Sequence, residues 1–134
     1  MKDIIDFLVN NPVQYLATVG LDGKPKCRPF MFCTELGGKL WFFTNNTKDV
    51  YRELKATPAL ELAVTSLENA WLRISGDAVF EDNSEVKHLC LQYPIIEQMF
   101  QSADNPQLEV FYIANGSAAL DAFDGNPPRE FELA

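Results

Sequence analysis

Turn signals recur along this chain at short intervals, and the stretches between them have room only for strands and brief helices. Asp22-Gly23, Gly37-Gly38, Asn45-Asn46, Thr57-Pro58, Glu68-Asn69 and Asn115-Gly116 all punctuate it. The intervening runs at 15–20, 26–35, 39–44, 59–66 and 70–81 are rich in Val, Ile, Thr and aromatic residues, the composition of strands. Residues 107–114 and 117–123 read as a closing hairpin across Asn115-Gly116, and 130–133 as a short edge strand. Pro29 cannot donate to a ladder, so it marks an edge, a bulge or a ligand-facing gap in the second strand.

Helical signals are few. Ile4, Ile5, Leu8 and Val9 fall at helical spacing, which predicts a helix over 3–10. Thr47 is placed to cap a helix through Lys55, and Asn83 or Ser84 to cap one from 85 to 92. A further helix is expected over 94–101. The expected fold is mainly β (α+β): a six- to seven-stranded antiparallel barrel with short flanking helices, in one domain over 1–134.

A chain of 134 residues buries roughly two-thirds of its unfolded surface, enough for a core without staples. Its net charge of −8 opposes nucleic acid and anionic membranes as partners, while leaving room for one local basic pocket. Cys27, Cys33 and Cys90 are odd in number and share no metal spacing, so three reduced thiols are expected. MKDIIDFLVNN carries acids and no long apolar run, so neither a signal peptide nor a membrane span is expected, and the expected location is cytoplasmic.

The segment Phe42-Phe43-Thr44-Asn45-Asn46-Thr47-Lys48 takes a strand through a polar turn into a helix. Free N–H groups at a helix start favour anions; Thr44 and Thr47 add hydroxyls and Lys48 a positive charge. The plain alternative is a capped helix with a solvated lysine. Arg28 is either a surface ion pair or a planar fork for phosphate oxygens. If the second and third strands pair across Gly37-Gly38, Arg28 comes close to Thr44 and Asn45. Phe30, Phe32, Trp41, Phe42 and Phe43 read mainly as core, and Trp71, at a strand start, as core or as a cap on a planar ligand. His88 is the only histidine, which excludes a multi-histidine metal site. Walker, Gly-x-Gly-x-x-Gly and Gly-x-Ser-x-Gly patterns are absent.

In this order the elements resemble the pyridoxamine 5'-phosphate oxidase-like family of FMN-binding split barrels, in its general-stress-protein-like branch. The resemblance runs from about Tyr15 to Phe123. It is carried by Ala17-Thr18-Val19 before Asp22-Gly23-Lys24-Pro25, by Arg28-Pro29-Phe30, by Leu40-Trp41-Phe42-Phe43-Thr44, by Lys48 before Leu54, and by Ile74-Ser75-Gly76-Asp77-Ala78. It implies a homodimer with FMN in grooves between subunits. It also implies a flavin ring along the strand from Arg28 through Pro29, Phe30 and Met31 to Phe32, the flavin phosphate at Arg28, Thr44, Thr47 and Lys48, and Phe43, Asn45 and Trp71 as further cofactor-binding residues. Trp71 stands where the oxidase proper has a glutamine near the flavin. The oxidase's C-terminal Trp and Arg have no match in 125–134, so oxidation of vitamin B6 is not expected. The family holds reductases, deazaflavin binders and haem-handling proteins, and the expectation is a flavin-dependent oxidoreductase of unknown substrate, with a non-catalytic flavin-binding or sensing module, or a ligand-free dimeric split barrel, as the alternatives.

Overall fold

A computed structural model describes residues 1–134. The chain order is α1 (Lys2–Asn10), β1 (Gln14–Val19), β2 (Pro25–Phe30), β3 (Phe32–Leu36), β4 (Lys39–Asn45), α2 (Asp49–Ala56), β5 (Ala59–Thr65), β6 (Ala70–Phe80), α3 (Ser84–Cys90), α4 (Pro94–Phe100), β7 (Leu108–Ala122) and β8 (Arg129–Leu133). The strands form one antiparallel sheet in the order β2-β1-β5-β6-β7-β4-β3, with β8 beside β7. The two ends of that order, β2 and β3, are neighbours in sequence with only Met31 between them. A sheet whose first and last strands are joined by one residue must curl until its edges meet. This is the antiparallel barrel that the spacing of turns and strands predicts, with eight strands rather than six or seven, in the split form that the resemblance implies.

Two strand boundaries differ from the expected ones. The run at 26–35 is not one strand: at Met31 it leaves β1, where Phe30 faces Gln14, and joins β4, where Phe32 faces Phe42. The buried Gln14 side chain holds this switch, accepting from the Phe32 N–H at 2.8 Å and donating to the carbonyls of Leu8 and Asn11. The expected hairpin across Asn115-Gly116 is also corrected, because 108–122 is a single strand. Ser117 faces Ser75 and Ala114 faces Asp77, so Asn115 and Gly116 together oppose Gly76 in a bulge. Asn115 takes φ 54°. A Cβ on Gly116 would lie 1.8 Å from the Ser75 carbonyl oxygen, so this position admits only glycine. Asn-Gly supplies the left-handed backbone that either a hairpin or a bulge needs, and the long partner strand β6 selects the bulge.

The core has two parts. Eighteen buried residues, among them Ile4 and Leu8 of α1 and Leu16, Phe42, Leu62, Ile74 and Phe111 of the strands, fill the barrel. A second cluster of eight lies on the other face of β3, β4 and β7, beneath α3 and α4. Leu40, Trp41 and Phe42 are therefore all buried: alternate side chains of β4 enter different clusters. Cys33 and Cys90 meet in the second cluster and form a disulfide, with Cα atoms 5.6 Å apart. This corrects the expectation of three reduced thiols, and Cys27 alone is free. The partners lie 57 residues apart in sequence and come together only where α3 packs on β3.

Candidate functional site

A cavity of about 360 Å³ opens where the barrel edges meet at Met31. Its strand wall is Arg28, Pro29, Phe30 and Met31 from β2 and the switch, with Phe43, Thr44 and Asn45 from β4. Lys48, the N-cap of α2, and Val50 in that helix's first turn complete one side. The register explains the meeting. Phe32 faces Phe42, so Met31 and Phe43 come next along the seam, and Arg28 and Asn45 lie further along it. This sorts the cavity into a polar corner at Arg28, Thr44, Asn45 and Lys48 and an apolar end at Met31 and Phe43.

Other elements reach that apolar end from outside the expected set. Pro12 and Val13 enter from the α1–β1 connection, and Ile95 and Met99 from α4. Ile96 and Phe100 of the same helix are buried in the second cluster. A short helix apolar on two adjacent sides is the one sequence signal for this wall, because its own cluster uses only one side.

Arg28 is held firmly. Its Nη1 donates to the Leu16 carbonyl (3.2 Å) and to Thr18 Oγ1 (2.8 Å), and its Nη2 donates to Glu53 Oε1 (2.6 Å). Thr18 Oγ1 in turn donates to Glu53 Oε1 at 2.7 Å. Glu53, on the inner face of α2, is buried, and Arg28 is partly exposed. The pair is both structural and site-facing. A guanidinium carries five N–H donors, so its Nε–H and one Nη2–H have no partner within the chain. Glu53 escaped the sequence reading because nothing local joins residues 28 and 53.

Two expected site residues lie elsewhere. Thr47 is exposed and does not line the cavity. Nor does it cap α2, since its hydroxyl donates to Asn45 Oδ1 at 2.8 Å and Lys48 occupies the cap position. Asn45 Oδ1 also accepts from the Thr47 N–H, so an Asx turn has taken the hydroxyl that a cap would have used. Trp71 lies on the outer face of β6, its ring 4.9 Å from that of Phe123, away from the cavity.

No acid, histidine or cysteine lines the cavity, and its ionisable groups are Arg28 and Lys48. The carboxyl groups held below their usual range, at Asp22, Asp82 and Asp124, are exposed and remote from it; Asp22 is lowered first by the hydrogen bond from the Lys24 N–H. A positive corner thus persists in a chain of net charge −8. The arrangement can bind an anion at one end and a flat apolar body at the other. It offers no acid–base pair of its own.

Comparison with known proteins follows the same lines. The family model for pyridoxamine 5'-phosphate oxidase matches residues 1–119. No curated protein matches the chain. A nimc/nima family protein from Clostridium acetobutylicum is 31% identical, with 99% of this chain and 92% of that one covered at a TM-score of 0.89. General Stress Protein 26 from Bacillus anthracis shares the fold at 18% identity, with 98% and 97% covered and a TM-score of 0.77. A pyridoxamine 5'-phosphate oxidase-related, FMN binding protein from Nostoc punctiforme shares it at 19% identity, with 96% and 86% covered and a TM-score of 0.67. The chain belongs to the pyridoxamine 5'-phosphate oxidase family.

Proposed function

We propose that the cavity at the barrel seam binds FMN and that the protein is a flavin-dependent oxidoreductase acting on a small molecule. The observation that carries this reading is the convergence of Arg28, Thr44, Asn45 and Lys48 at one end of a cavity whose other end is apolar. Its volume falls in the range of small-molecule sites. The donor set suits a phosphate: a lysine, a guanidinium with two unpartnered N–H groups and a threonine hydroxyl. Met31, Phe43, Ile95 and Met99 offer apolar surface to a ring system.

When bound, the flavin supplies the hydride or electron chemistry. The chain's own residues do the rest. Lys48 and Arg28 hold the anionic end, Glu53 and Thr18 keep the Arg28 fork oriented, and the apolar end sheds water from the ring. The absence of an acid–base pair in the lining fits chemistry that resides in the cofactor. It equally fits a non-catalytic flavin carrier, and reduction of the bound flavin by NADH or NADPH separates the two.

The same reading includes a homodimer. The outer face of β1, β5 and β6 presents Tyr15, Ala17, Ala63 and Trp71 around the exposed Glu61–Arg73 ion pair, a mixed surface of the kind that interfaces use. At its border Phe123 is 86% and Leu67 98% exposed. A second copy laid on this face would cover them. Light scattering should then give twice the 15.1 kDa chain mass.

The direct test of flavin binding is the absorbance spectrum of the purified protein, with FMN added back to any colourless sample. A yellow protein that releases FMN on denaturation supports the reading. One that takes up no added FMN contradicts it.

A further inference from the structure

We infer that the Cys33–Cys90 disulfide is a thiol-exchange site that latches the helical wall of the cavity. Both cysteines are buried in the cluster that supports α4, which also contains Ile96 and Phe100. Cys90 is the last residue of α3, and only Leu91, Gln92 and Tyr93 separate it from α4. Tyr93 serves twice: its hydroxyl donates to the Cys33 carbonyl at 3.0 Å, and its own carbonyl accepts from the Ile96 and Glu97 N–H groups that begin α4. The bond therefore ties the helix that carries Ile95 and Met99 to strand β3, two residues beyond Met31. Both ends of this tether reach the cavity.

The bond also has a route to reagents. A second cleft, of about 280 Å³, is lined by Cys33, Thr34, Leu89, Gln92 and Tyr93. Cys33 borders it and Cys90 does not; both are closed off in the folded chain, at 1% and 0% exposure, so Cys33 Sγ is the sulfur reached when the cleft opens. The co-substrate is a dithiol. One of its thiolates attacks Cys33 Sγ, forming a mixed disulfide and releasing the Cys90 sulfur, which takes up a proton. The second thiol of the reagent then displaces Cys33, which is protonated in turn. Two electrons and two protons pass to the pair, and the dithiol leaves as its disulfide. Once the cross-link is cut, α4 is held by packing and by the Tyr93–Cys33 hydrogen bond, and it opens more often.

The effect on α4 stands on the fold, and only the effect on cofactor affinity rests on the flavin reading. The test uses the full chain purified without reductant. Alkylation after denaturation should label one thiol, Cys27. Treatment with dithiothreitol under native conditions should raise this to three. Amide hydrogen exchange over 94–100 should then quicken by about tenfold, and FMN should bind about tenfold more weakly, a coupling of ordinary size. Cys27→Ser should respond as the natural chain does, and the double variant Cys33→Ser, Cys90→Ser should match the reduced state without reductant. Three alkylatable thiols before reduction, a bond that yields only after unfolding, or unchanged exchange in α4 would each overturn the latch. Faster α4 exchange with equal FMN affinity in both states would overturn its coupling to the cavity. Faster exchange in a protein that binds FMN in neither state would support the latch and defeat the flavin reading.

Discussion

The two walls of the cavity are built differently. The strand wall, Arg28–Met31 and Phe43–Asn45, is part of the barrel, whose core holds eighteen buried residues. The helical wall is one seven-residue helix resting on a cluster of eight and tied down by one disulfide. Every charged or hydrogen-bonding group that lines the cavity is on the strand wall or at the start of α2, and α4 contributes only Ile95 and Met99. Polar recognition needs fixed geometry, and paired strands supply it. Apolar contact tolerates movement, so the less firmly held element can carry it.

The largest effect that separates the walls is on stability. Phe111→Ala, in the barrel core, should cost about 4 kcal/mol of global stability, read by denaturant unfolding. A comparable loss confined to α4 would contradict the division into two cores. Arg28→Ala should cost about 3 kcal/mol, because it strands the buried Glu53 carboxylate, and it should weaken FMN binding as well. Lys48→Ala, at an exposed position, should leave stability nearly unchanged and weaken FMN binding by about 2 kcal/mol, roughly 30-fold. Met99→Ala should weaken FMN and riboflavin alike, by about 1 kcal/mol, since it touches the apolar end only.

The smallest effect lies far from both walls. The Asp22 carboxyl is held below its ordinary range by the Lys24 N–H first and the Lys26 ammonium second. A lowered folded-state value stabilises the fold above the ordinary carboxylate range, and that contribution fades as pH falls through the lowered value. Asp22→Asn should therefore narrow its stability gap to the natural chain on acidification, as thermal melts across pH would show, and leave FMN binding unchanged.

Much of the strand wall was legible because it obeys local rules. Alternation, Pro29 and the Gly37-Gly38 turn bring Arg28, Thr44 and Asn45 within one cavity. What escaped was set by long-range pairing. Asn115-Gly116 has the same local chemistry in a hairpin and in a bulge, and only its partner strand decides between them. Thr47 lost its cap role to the Asn45 side chain two residues before it. The Cys33–Cys90 bond depends on where α3 lands, and its presence removes the argument from cysteine usage to a reducing compartment. Glu53 and the α4 wall likewise become visible only once the fold is known.

Flavin binding at the seam turns on whether the polar corner holds the phosphate of the nucleotide. Titrating the natural chain and Lys48→Ala with FMN and with riboflavin, which lacks the phosphate, tests it most directly. The natural chain should bind FMN more tightly than riboflavin, and Lys48→Ala should remove most of that preference while leaving riboflavin affinity in place. Equal affinity of the natural chain for the two flavins, or a preference that survives the loss of Lys48 unchanged, would contradict it.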